Sequence, residues 1–163
     1  MKKKVISDYK SEIKKLTRKA VEKIAQFEES SPFEILGPHK MKSNHTVVIN
    51  TYLPLALEAW IRIKGEKKKH EMKRLNTEGV YQTIFSDRKE IFSYKIIFLN
   101  DKDELIELDD PYSFPVKLSD LDLHLLGEGK HYKSYEKLGS KIISHKKTKG
   151  VQFTVWAPNA KAV

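Results

Sequence analysis

A chain of 163 residues, 39% hydrophobic and 33% charged, is long enough to bury a core, which excludes wholesale disorder. It contains no cysteine, which excludes disulfides, thiol catalysis and cysteine-bound zinc and suits a reducing, cytoplasmic location. The net charge is +9, of which +6 falls within residues 1–27, so the basic character belongs to an N-terminal appendage more than to the body.

The start, "MKKKVISDYK", has no apolar stretch behind its lysines, and no apolar run approaches the roughly 18 residues of a spanning helix. No secretory signal and no membrane partner are expected. Over 8–27, Ile13, Leu16, Ala20, Ile24 and Phe27 recur every three or four residues, which predicts an amphipathic helix with Lys and Arg opposite. Ser7 or Asp8 would cap it, and "ESSP" would end it, because the residue before a proline leaves helical space. Residues 1–29 are thus expected to be a basic amphipathic helix. Clustered Lys and Arg attract phosphates, but no aromatic interleaves the basic face and no nucleic-acid module follows, so no nucleic acid partner is expected.

"SPFEILGPHK", 31–40, reads as a packed connection anchored by Phe33, Ile35 and Leu36, turned by Gly37 and Pro38, with His39 bonding the backbone. From about residue 45, "TVVINTYLP", "EAWIRIK", "KHEMKRL", "GVYQTIF", "IFSYKIIFL" and "ELIEL" are short strands parted by turns. The chain is therefore expected to be mainly β, an antiparallel β-sandwich spanning 30–118. Ala59, Ile61 and Ile63 would face the core, as would Phe92, Tyr94, Ile96 and Phe98. Glu58, Trp60 and Arg62 would then point outward. An outward indole stacks on the apolar face of a sugar, and Arg62 and Glu58 would bond hydroxyls. Trp60 and Arg62 are the candidate substrate-binding residues.

Asp109-Asp110-Pro111 predicts a turn, with adjacent carboxylates on opposite faces. Residues 119–148 form an expected connector of short helices, within which 119–138 hold one or two helices and "KIISHKKTKG" reads as a strand or a linker. Residues 149–163 read as the first strand of a further unit with no partner strand after it, which suggests a piece of a longer protein. Trp156 would be a packing anchor there. No Gly-rich phosphate loop, His-Glu-x-x-His or nucleophile elbow occurs, and the six histidines lack metal-ligand spacing. No catalytic residue, metal or cofactor is expected.

Three segments carry a resemblance. "SPFEILGPHK" is similar to the D-P-F-x-x-L-G-x-H opening of bacterial glycogen (1,4-α-glucan) branching enzymes. "DDPYSFPVKLSDLDLHLLGEGKHYKSYEKLG" resembles their D-P-Y-x-F…D-x-x-L-L-x-E-G-x-H…Y-E-x-L-G stretch, and "GVQFTVWAPNAKAV" resembles the start of their glucan-binding module. The resemblance implies an immunoglobulin-like N-terminal sandwich. It also implies a parent enzyme that moves α-1,4 glucan segments into α-1,6 branches through a covalent intermediate. That retaining chemistry needs two carboxyl groups about 5 to 5.5 Å apart, carried on an α-amylase-type barrel of about 250 residues. A 163-residue chain has no room for that barrel, so this piece is expected to be inactive and to pack on domains it lacks. The alternatives are a stand-alone carbohydrate-binding sandwich, or a basic nucleic-acid or membrane-surface binder.

Overall fold

The computed structural model describes residues 18–26, 28–29, 31–41, 45–114, 118–145 and 148–160. The chain divides into two compact units, Met1–Ser113 and Phe114–Val163.

The first unit is a β-sandwich. One sheet runs in the order β1 (Gly37–Lys40), β2 (Val47–Tyr52), β6 (Val80–Phe85), β5 (Lys73–Arg74). The other runs β4 (Lys69–Glu71), β3 (Ala56–Ile63), β7 (Tyr94–Asn100), β8 (Leu105–Leu108). Every pairing is antiparallel. Alternation decides what lies between the sheets: Val47, Ile49, Tyr81 and Phe85 from the first meet Ala59, Ile61, Ile63, Tyr94 and Ile96 from the second. Phe92 and Phe98 pack against this cluster. The inward sets expected on β3 and β7 are the ones found.

Two elements differ from expectation. Residues 37–40 form a strand, β1, where a connection is expected; Pro38, with no amide to donate, is tolerated because β1 lies at the sheet edge. The single strand expected over "KHEMKRL" splits into β4 and β5, which join opposite sheets. Buried Met72, whose amide donates to the Ala59 carbonyl, sits at the crossing.

Of the helix expected over 8–27, the described part, α1 (Arg18–Ala25), is helical. Ser7, Asp8, Ile13, Leu16 and Phe27 lie outside the described residues. Buried Ile24 joins Ile35 and Leu36 in a second apolar cluster, to which Ala20, Tyr52 and Tyr112 contribute. Since Tyr52 lies on the outward side of β2, this cluster covers the outer face of the first sheet.

The second unit holds α2 (Asp120–Gly127), a 3-10 turn Ser134–Glu136, and a hairpin of β9 (Gly139–His145) and β10 (Thr148–Thr154). The final strand is therefore paired, and its partner precedes it. This hairpin crosses the division expected at 148/149, and the boundary between units falls at 113/114 where 118/119 is expected.

Candidate functional site

The outer face of the second sheet carries the candidate binding residues. Trp60 lies across from Glu71 on one side and Ile97 on the other, while Arg62 lies between Lys69 and Lys95. Trp60 is partly exposed. Ile97, on the outward side of β7, is nonetheless buried, 3% exposed, so this face carries an apolar floor beside the indole. The Lys69 ammonium sits 5.7 Å from the centre of the Trp60 ring, a cation–π distance. Arg62 donates to the Glu107 carboxylate, two strands away, and Lys95 to Asp109 at 2.7 Å. The structure thus places Trp60 and Arg62 on one face as expected, but Arg62 is engaged by a carboxylate that sequence reading does not connect to it. Glu58 is exposed beside them.

The conspicuous motifs serve a different end. Asp109 points out to Lys95, while Asp110 is buried, 1% exposed. Tyr94 donates its hydroxyl to Asp110, the Tyr112 amide donates to Asp110 Oδ1 at 2.9 Å, and Ser113 Oγ donates to the Asp110 carbonyl at 2.7 Å. These bonds fix the 3-10 turn Pro111–Ser113. Burial pushes the Asp110 carboxyl up, against the pull of the two bonds it accepts. Burial also pushes the Tyr94 phenol strongly up, and burial pushes the His39 imidazole down. His39 Nε2 lies 3.0 Å from the Ile35 carbonyl, which can only accept, so that nitrogen carries the proton. Asn50 Nδ2 donates to the same carbonyl at 2.9 Å, while Asn50 Oδ1 accepts from Gln82 Nε2 at 2.8 Å. Phe33 meets Tyr112 edge-on at 5.1 Å, and Gly37 passes so close to Tyr112 that no side chain fits. The two segments clamp one another through buried, satisfied polar groups, which is a structural role.

Between them lies a cleft of about 130 Å³ lined by Ile24, Glu29, Pro32, Leu36, Tyr52 and Tyr112. Ligand pockets run to about 300 Å³ and more, so it is too small for a sugar chain. Among the described residues, no group of three or more His, Cys, Asp or Glu is placed to hold a metal ion, and no helix is long and apolar enough to cross a membrane.

In the second unit, Asp122 organises the start of α2. Ser119 caps the helix, its Oγ accepting from the Asp122 amide at 3.2 Å, while its hydroxyl donates to Asp122 Oδ2 at 2.6 Å and its amide donates to the same oxygen at 2.8 Å. His131 Nε2 lies 2.9 Å from Oδ1, and Lys137 Nζ donates to Oδ2 at 3.1 Å. The Ser119 hydroxyl first, then His131, the Ser119 amide and Lys137, hold the Asp122 carboxyl far below its ordinary value of 3.8. A depressed folded-state pKa gives stability that is complete above the unfolded value and lost as pH falls through the folded one. We therefore expect the segment 119–137 to loosen from about pH 4 downward, and Asp122→Asn to lack this acid-dependent step. Amide exchange at Ser119 and Asp122, corrected for its intrinsic pH dependence, reads this directly.

The hairpin presents an apolar face. Ile142 lies across from Val151, with Phe153 further along the same side, and these are 88%, 55% and 75% exposed. Leu121 and Tyr135 are exposed as well. Trp156, expected as a packing anchor, is also exposed.

A family model described as the N-terminal domain of alpha-1,4-glucan branching enzyme GlgB matches residues 17–112. The 1,4-alpha-glucan branching enzyme GlgB of Nitrosococcus oceani is 38% identical over 145 residues, which is 88% of this chain and 19% of that enzyme. The enzyme of the same name from Picrophilus torridus is 35% identical over 134 residues, 82% of this chain and 18% of its own. The chain thus spans about a fifth of the length of these relatives. Among solved structures, a pullulanase from Anoxybacillus sp. LM18-11 aligns over 85% of this chain and 15% of its own, with 16% identity and a TM-score of 0.45.

Proposed function

Since this chain belongs to the family of alpha-1,4-glucan branching enzyme N-terminal domains, we propose that it is the non-catalytic N-terminal module of such an enzyme. The parent cuts α-1,4 glucan and rejoins the segment as an α-1,6 branch in glycogen biosynthesis, in the cytoplasm. The observation that carries this reading is the family match across the sandwich itself. The burial of Asp110 and the bond of half-buried His39 to the Ile35 carbonyl support it, because these motif residues act as clamps between two segments. The exposed apolar side of the β9–β10 hairpin supports packing against further domains of the parent, since contiguous apolar surface of this kind marks an interaction site.

In the parent, the module influences which chain lengths are transferred. The test is to remove residues 1–113 from a branching enzyme carrying this module and to profile its product after debranching. Branching should persist with a shifted chain-length distribution. An unchanged distribution would remove the proposed influence on transfer.

A further inference from the structure

We propose that the outer face of the β4–β3–β7–β8 sheet is a surface site for a linear α-1,4-glucan chain, with Trp60 as its stacking platform. The choice of α-glucan rests on the function proposed above; the choice of a neutral, hydroxyl-rich ligand does not.

Three observations point there. Trp60 is partly exposed on the outward side of a central strand, and what stands over its ring is the exposed side chain of Lys69, a flexible cation that can move aside. Ile97 is buried beside it, and Leu99 and Leu105 continue the same side across β7 and β8, so the indole borders a row of apolar side chains. Such a row suits the apolar face of pyranose rings.

The charges around it are matched. Arg62 pairs with Glu107 and Lys95 with Asp109, and Lys69 stands with Glu58 and Glu71, so no net positive charge is left to draw a polyanion. Glu58, two residues along β3, and Glu71, directly across from Trp60, put carboxylate acceptors at both sides of the ring. Cross-strand neighbours lie about 5 Å apart, close to the width of a sugar ring, so a glucose stacked on the indole has acceptors within reach of its hydroxyls.

The test uses the full chain with Trp156→Phe, which leaves Trp60 as the single indole of the two in the sequence. Maltoheptaose should shift its fluorescence saturably, and glycogen in a native gel should retard the protein. Trp60→Leu, which keeps apolar cover over Ile97, should weaken retardation about tenfold; circular dichroism checks that it folds. Equal retardation of Trp60→Leu would put glucan binding elsewhere and overturn the site. Absence of any retardation or fluorescence shift would overturn it too, as would equal retention on an α-1,6-linked dextran. A Trp60-dependent dimer in sedimentation would assign the face to a second copy instead. None of these outcomes touches the chain-length experiment, so the site and the module role fail independently.

Discussion

Replacing Gly37 with alanine should destabilise the sandwich by about 3 kcal/mol, from backbone strain of about 1–2 kcal/mol and overpacking of comparable size. Gly37 has φ +89, in the region that disfavours any side chain. A Cβ there would lie 2.7 Å from the Tyr112 carbonyl oxygen and 2.9 Å from the Tyr112 Cβ. Backbone cannot swing aside as a lysine tip can, so either β1 leaves the sheet edge or the Pro111–Ser113 turn opens. Domains of this size have about 5–15 kcal/mol in hand, so the variant should fold with a much lower midpoint. Urea unfolding measures it. A midpoint equal to the native protein's would show that the two motif segments are not locked together.

Asp110→Ala should cost a similar amount, about 3 kcal/mol, because it strips partners from two donors in one buried place. The Tyr94 hydroxyl and the Tyr112 amide would both lose their acceptor. Asp110→Asn keeps an acceptor and should cost clearly less. The pH dependence has a definite sign. Burial raises the folded-state pKa of Asp110 above its ordinary 3.8, so the native protein loses stability from this group as pH rises through the window above 3.8. The Asn variant does not titrate there, so its deficit against the native protein should be larger at about pH 3 than at about pH 7. Urea midpoints at the two pH values decide it; a deficit independent of pH would mean that the carboxyl is not buried as described.

What was legible in the sequence follows from how local each signal is. Alternation on β3 and β7 depends on neighbouring residues, and it places Ala59, Ile61, Tyr94 and Ile96 inside and Trp60 outside. The turn at Asp109-Asp110-Pro111 is local as well. Pairings across many residues are not legible in this way. The Arg62–Glu107 pair spans 45 residues and becomes visible only once β3, β7 and β8 lie in register. The Tyr94–Asp110 bond reads from sequence as an unremarkable tyrosine in an apolar strand. Gly37 and Pro38 hid β1, since both residue types signal turns and an edge strand tolerates them. The partner of the final strand lies in "KIISHKKTKG", which reads from sequence as either a strand or a linker, and their pairing becomes visible only once Ile142 lies across from Val151.

The central claim is that these residues build a clamped, non-catalytic module, while the chemistry resides in the rest of the parent enzyme. The most direct measurement incubates the purified chain with amylose, beside a branching enzyme carrying the module, and follows the iodine colour of the glucan. The account predicts no change with the chain alone and a fall with the whole enzyme. A fall produced by the chain alone, abolished by a substitution within it, would contradict the account.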